Sequence, residues 1–351
     1  MQENRIVRVG DKYFKNSQTL RDYRASQCAC CRPDGRKIKV NIISGFLGSG
    51  KTTMLNYLLS RTCKKRLDVL IREYGHVSVD DKLLRGVAKD CLHIFSGISL
   101  HDDPQLMLHD YLHRLASEKA SSQMDNLLIE ASGLDRPANL VSLFMLGNMP
   151  GLYQLGSVIT VVDAKYGMLN LDEYEVAVEQ VATADVIVIN KIDLASAPEV
   201  EQLRRRLKGI NGMARVLTAE FGRVEPDKVL DTVLYQQLKE MEPAGECEAM
   251  DKIKTITLST DRAMSKERVN AWIDDLFTKY GKQILRGKGF LKFSGDNNRY
   301  EFQSVRESFH SYSTGLWPLE EDPHSVIVLI GSSGLPVEEI QQSFFACTAN
   351  E

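Results

Sequence analysis

The run Gly45-Phe46-Leu47-Gly48-Ser49-Gly50-Lys51-Thr52 satisfies the pattern GxxxxGK followed by Ser or Thr at every position, and Thr53 comes next. Such a loop binds phosphate. Its glycines let successive backbone N–H groups turn inward onto an anion, and the helix that starts within it adds partial positive charge. Lys51 then reaches the β and γ phosphates, while the Thr52 hydroxyl ligates Mg²⁺. A second group, Asn190-Lys191-Ile192-Asp193, closes an apolar run at 186–189. The Asp193 carboxylate accepts hydrogen bonds from the ring N–H and exocyclic amino group of guanine, whereas adenine presents an unprotonated ring nitrogen there. Together the motifs point to GTP and GDP over ATP. They also argue against a small-molecule kinase, which has no use for Asn190 and Asp193. Between them an apolar run at 127–129 ends in Glu130, followed by Gly133. An acid there holds Mg²⁺ through water, and the Gly133 N–H meets the γ-phosphate in a segment that senses hydrolysis.

These groups need a scaffold that gathers them. The β-branched run 38–44 reads as a buried strand, the glycine-rich turn follows, and 54–60 reads as helix. Similar apolar runs at 67–71, 126–129, 157–162 and 186–189 alternate with helical or loop segments. That rhythm predicts an α/β fold with a doubly wound, mainly parallel sheet, whose strand ends present the motifs where open sheets bind ligands. Beyond a polar stretch around 241–250 come strand candidates at 253–258, 289–293, 299–305 and 325–330, with helices at 265–279 and from 337. A smaller α+β domain fits them. The expected boundaries are a basic arm at 1–36, a P-loop GTPase domain at 37–225, a linker at 226–252 and the C-terminal domain at 253–351.

Composition sets outer limits. The 351 residues carry a net charge of −3, with 43% hydrophobic and 26% charged residues, so the total favours neither nucleic acid nor an acidic membrane. No apolar run approaches the ~18 residues of a membrane span, and the first 15 residues lack a secretory apolar segment. The expected location is cytoplasmic. The first 40 residues depart from the average, with ten Lys or Arg against four Asp or Glu, a net of +6. Seven cysteines do not suit a disulfide framework, and three crowd into Cys28-Ala29-Cys30-Cys31. Thiolates at this spacing can share Zn²⁺ or another transition metal ion, with a fourth ligand from elsewhere. The alternative is an incidental or redox-active cluster. His109 and His113 stand at i and i+4 on a predicted helix, where a solvated face is favoured over a metal pair. Trp272 and Trp317 read as packing residues.

With these residues in place, the chain resembles the CobW-like family of metal-insertion GTPases, in the broader class that holds the nickel-delivering urease and hydrogenase maturation GTPases. Arg72-Glu73-Tyr74-Gly75 running to Asp80 is similar to the family's first switch, and Ile129-Glu130-Ala131-Ser132-Gly133 running to Pro137 to its second. Val161-Val162-Asp163-Ala164, Gln180 with Ala184-Asp185, and the 190–194 segment follow in family order. In the last third, 285–290 and Gln303-Ser304-Val305 resemble the hallmark of the family's C-terminal domain.

The resemblance implies a slow, Mg²⁺-dependent GTPase coupled to metal or metallocofactor delivery to a client metalloenzyme or cofactor-carrying protein, with a homodimer as one arrangement. It also assigns Glu73 and Asp80 to the Mg²⁺ and water side of the site. Two departures stand out. The family's C-x-C-C between the switches aligns with 95–101, which has no cysteine, and Arg72 replaces the usual asparagine. The missing motif keeps a second reading open, a metal-free GTP-gated interaction or reactivation factor. The N-terminal cysteines have the family's spacing at another place in the chain, so the arm could restore a metal site near the switches, for which the resemblance makes Cys91, His93 and His101, in or beside the family's motif region, the candidate fourth ligands.

Overall fold

The computed structural model describes residues 8–9, 12–13, 37–61, 67–73, 92–96, 104–118, 124–145, 147–230, 253–318 and 321–349. Cys28, Cys30, Cys31, Asp80, Cys91 and His101 lie outside these residues, as does the side chain of Glu73. The chain folds as two compact units, one holding 37–208 and 213–230, the other 253–349.

In the first unit seven strands form one all-parallel sheet: β1 (Ile38–Ser44), β2 (Leu67–Glu73), β3 (Leu92–Ser96), β4 (Asn126–Glu130), β5 (Tyr153–Asp163), β6 (Val186–Asn190) and β7 (Arg215–Ala219). Their spatial order is β3-β2-β4-β1-β5-β6-β7. Parallel strands need both faces covered, which explains runs such as Val186–Asn190 that are buried from end to end. One face packs Ile43, Val69, Leu128, Ile159, Val161 and Val188 against Met54, Leu55 and Leu58 of helix α1 (Lys51–Arg61).

Four further helices stand after the strands: α2 (Pro104–Glu118), α3 (Pro137–Met145), α4 (Gly167–Glu173) and α5 (Glu175–Thr183). A sixth, α6 (Ala197–Ile210), follows β6. Helices α3 and α5 touch each other and β5, where the Thr160 hydroxyl donates to the Gln180 carbonyl at 2.8 Å. The sheet carries two strands, β3 and β7, that the sequence pattern did not announce. The helical turn Pro226–Val229, expected in the linker, places Val229 and Leu230 in the first unit's core.

The second unit is an antiparallel sheet of five strands: β8 (Ile253–Thr260), β9 (Ile284–Lys292), β10 (Asn298–Val305), β11 (Ser308–Leu316) and β12 (Ser325–Ser332), in the order β8-β12-β9-β10-β11. Helices α7 (Lys266–Tyr280) and α8 (Val337–Phe345) cover one face, where Trp272, Ile273, Phe277 and Phe344 meet Ile256, Leu291, Phe302 and Leu329. Ser265 caps α7 through the Arg268 N–H. No helix among the described residues is long and apolar enough to cross a membrane.

Candidate nucleotide site

The phosphate loop leaves β1 at Ser44 and turns through Gly45, Gly48 and Gly50 with φ of 138°, 72° and 101°. A side chain at Gly50 would do more than strain the backbone, since its Cβ would lie 2.3 Å from Asn190 Nδ2. Lys51 opens α1, and its Nζ donates to the carbonyls of Gly45 and Phe46 at 2.9 and 3.1 Å. Burial lowers the pKa of this ammonium, while the charges of Glu130 and Asp135 act to raise it. The Ser49 hydroxyl is buried with no hydrogen-bond partner among the described residues. Phosphate oxygens are acceptors of the kind such a donor needs.

Thr52 and Glu130 meet from two different elements. The register pairs Ile43 of β1 with Glu130 of β4, and in the first turn of α1 the Thr52 hydroxyl donates to Glu130 Oε1 at 2.6 Å. Hydroxyl and carboxylate oxygens are the hard donors that Mg²⁺ selects, and one or two such protein ligands beside phosphates suffice for it. The residues present therefore fit the ion. Thr53 points to solvent.

The guanine-reading segment is tied to the phosphate loop by its own side chains. Asn190, 1% exposed at the end of β6, donates through Nδ2 to Ser49 O at 3.0 Å and accepts at Oδ1 from the Gly222 N–H at 2.9 Å. Its structural part is thus to join the phosphate loop to the turn after β7. Lys191 adopts the left-handed conformation, φ 61°, and its Nζ reaches Gly48 O at 2.6 Å and Asp163 Oδ2 at 2.7 Å. Asp163 in turn accepts the N–H groups of Lys165 and Tyr166 at Oδ1. Asp193 stands exposed in the short 3₁₀ turn Ile192–Leu194, at the mouth of the strand ends.

The segment after Glu130 is braced from three sides. Gly133 approaches the phosphate loop so closely that a Cβ would sit 2.9 Å from Leu47 Cα. Gln180 of α5 donates through Nε2 to the carbonyls of Gly133 and Asp135 at 3.1 and 3.0 Å. Asp135 Oδ2 accepts the Ser132 N–H at 3.0 Å and pairs with Arg72 Nη1 at 3.5 Å, while Arg136 pairs with Glu179. Asp163, Gln180 and Asp135 are functional partners that motif reasoning left without roles. All three lie in segments already set beside the family, but only their contacts show what they do.

The metal expectations fare differently. Among the described residues no group of three or more His, Cys, Asp or Glu is arranged to hold a metal ion. His93, expected as a candidate fourth ligand, has both ring nitrogens engaged. Nε2 lies 2.9 Å from Asp68 Oδ2 and Nδ1 lies 2.8 Å from the Tyr111 hydroxyl oxygen. His113 accepts from Asn148 at 2.7 Å and His109 lies 3.4 Å from Asp110, so the helical pair does not converge on one ion. Trp272 packs on Phe344 at 5.3 Å, in keeping with a core role.

Comparison with known proteins bears on this geometry. Residues 39–218 match the family described as CobW/HypB/UreG, nucleotide-binding domain, and 253–348 match the Cobalamin synthesis protein cobW C-terminal domain. The zinc chaperone YjiA of Escherichia coli (strain K12) is 31% identical over 316 residues, spanning 88% of this chain and 98% of its own. The zinc-regulated GTPase metalloprotein activator 1 of Schizosaccharomyces pombe is 26% identical over 339 residues, spanning 84% and 82%. Among solved structures, Zn(II)-bound YjiA GTPase from E. coli aligns with a TM-score of 0.65 at 27% identity, over 90% of this chain and 100% of that one.

Proposed function

The chain belongs to the CobW/HypB/UreG family, and on that premise we propose that it is a Mg²⁺-dependent GTPase coupled to delivery of zinc, or another transition metal, to a client metalloenzyme. The observation that carries the reading is the Thr52–Glu130 contact at 2.6 Å beside Lys51. It joins a phosphate-binding helix to a strand-end carboxylate, the pairing that Mg²⁺–nucleotide chemistry requires. Lys51, Gly45, Gly48, Ser49 and Gly50 form the phosphate cradle, which Thr53, its side chain exposed, joins through its backbone N–H. Asn190 and Lys191 hold the base pocket, and Asp193 reads guanine. Glu73 and Asp80 serve the Mg²⁺ and water side. The γ-phosphate orders the segments around 73–80 and 130–133, and its loss releases them.

The relation to a zinc chaperone and to a zinc-regulated GTPase supports zinc as the ion, and the cysteines of the arm are the residues of this chain suited to it. Cys28, Cys30 and Cys31 would hold the ion as cargo. The reading is tested by purifying the untagged protein, measuring bound Zn, Co, Ni and Fe with GDP and with a non-hydrolysable GTP analogue, and repeating with all three cysteines changed to Ser. Nucleotide-dependent metal that disappears in the serine variant is the expected result. Metal that is absent, or indifferent to nucleotide and mutation alike, overturns delivery. It would favour the metal-free GTP-gated factor, which the cysteine-free stretch 95–101 recommends.

A further inference from the structure

We propose that Arg72 is a catalytic arginine supplied within the chain to the γ-phosphate, with Asp135 as the partner it exchanges; the inference rests on the GTPase reading above. Arg72 is the penultimate residue of β2, and its neighbour Ile71 is paired in register with Glu130. Its side chain therefore leaves the sheet level with the residue after Glu130, at the strand ends that also gather Thr52 and Lys51. It does not lead outward. The Arg72 side chain is 7% exposed and that of its partner Asp135 only 5%, with Nη1 and Oδ2 at 3.5 Å.

A buried ion pair is a poor way to add stability, because desolvation of both charges offsets their attraction and apolar residues of the same volume do as well. Something besides stability has to account for its presence. The surroundings indicate what. Asp135 lies in the turn that Gln180 clamps and that sets Gly133 against Leu47 of the phosphate loop. Its charge is felt by Lys51, the residue that meets the β and γ phosphates. Arg72 is thus held by a turn that itself packs on the phosphate loop.

In hydrolysis the oxygen of water forms a bond to the γ-phosphorus as the bridging P–O bond breaks. The bonding pair leaves on the GDP β-phosphate, and the proton from water goes to the inorganic phosphate formed. Negative charge grows on the γ and bridging oxygens along the way. A planar guanidinium, always charged and forked to match two such oxygens, stabilises that charge more than it stabilises bound GDP. Exchange of Asp135 for the phosphoryl group keeps Arg72 paired at both stages, and Asp135 retains the Ser132 N–H.

The test compares wild type, R72A, R72K and the double variant R72M/D135N. Each is assayed for single-turnover GTP hydrolysis and for affinity toward GDP, alone and with aluminium fluoride. Removing Arg72 alone strands a buried carboxylate, so the double variant, which leaves no charge and fills the space, supplies a folded control. Expected is a fall in hydrolysis of about 10³-fold in R72A and in the double variant. The GDP–aluminium fluoride affinity should fall in step, GDP affinity should stay within about threefold, and R72K should recover part of the rate. Unchanged hydrolysis in R72A, or equal losses for GDP with and without aluminium fluoride, overturns the catalytic role. A wild type that does not hydrolyse GTP overturns the GTPase reading and this role with it. An active wild type beside an unimpaired R72A overturns this role alone.

Discussion

Replacing Asn190 with alanine should unfold the first unit more easily before it does anything to base recognition. The wild-type side chain makes two buried bonds, to Ser49 O at 3.0 Å and from Gly222 N at 2.9 Å. Alanine removes both and leaves a buried carbonyl and a buried N–H without their partner. Each such loss costs about 1–3 kcal/mol, and some relaxation at the turn is expected, so the sum is about 2–4 kcal/mol. In a unit near 200 residues that lowers Tm by roughly 5–15 °C. Both tryptophans, Trp272 and Trp317, belong to the second unit, so far-UV circular dichroism is the suitable probe for the first. The melts are run without nucleotide, since a ligand that binds only the folded state would mask the difference by mass action. N190D separates the two bonds: its carboxylate can still accept from Gly222 but meets the Ser49 carbonyl oxygen as a second acceptor. It should be at least as unstable as N190A. An N190A protein that melts with wild type and merely binds GTP less well would refute the reasoning, because Asn190 would then act on the ligand and not on the scaffold.

Other outcomes follow from the same contacts. Asp193→Asn should weaken GTP by about 10²-fold or more and favour xanthosine triphosphate, whose ring presents the complementary carbonyl; competition binding measures the ratio. Thr52→Ala should leave GDP binding largely intact in chelator yet abolish its enhancement by Mg²⁺, since it removes one hard oxygen beside Glu130. GTP affinity should fall as pH rises, and at a lower pH than an ordinary lysine would produce. Burial disfavours the charged form of Lys51, which is the form that meets phosphate. Lys51→Arg, charged throughout, should flatten that dependence in titrations above neutrality. Phe302→Ala, in the middle of the second unit's core, should cost about 3–5 kcal/mol by tryptophan-monitored denaturation.

The phosphate loop, the Asn190–Asp193 segment and Glu130 were legible because their chemistry is local. A short run of given residue types suffices, and the strands that carry them are buried on both faces. What escaped notice depends on contacts across the chain. Gln180 reaches back to Gly133 and Asp135, and Asp163 engages Lys191 of the next strand. Neither pairing has a sequence period. Strand β11 was missed because it lies at the sheet edge, where Tyr312 and its polar neighbours are only partly buried and the last four residues are exposed. The start of β9 escaped for the opposite reason, since Arg286 and Lys288 are buried despite their charge. The partners of His93 are likewise set by contacts across the chain. A ligand-capable residue near the family's metal position is held here by Asp68 and Tyr111.

The phosphate loop hangs from β1, the middle strand of the seven, and β1 is the first of them to be synthesised. The strands on either side of it, β4 and β5, end at residues 130 and 163. At about 5–20 residues per second, roughly 6–24 s pass between the emergence of β1 and the completion of β5. Until β4 emerges, Ile38, Val40, Ile42 and Ile43, all buried in the finished unit, have no neighbouring strand to join, and until β5 they have none on their second edge, so they are exposed to chaperones and to aggregation. Parallel pairing over such separations is slow to nucleate as well. The capacity to hold nucleotide is therefore acquired only after chain well beyond the phosphate loop has been made, and a nascent chain released before β5 should show none of it.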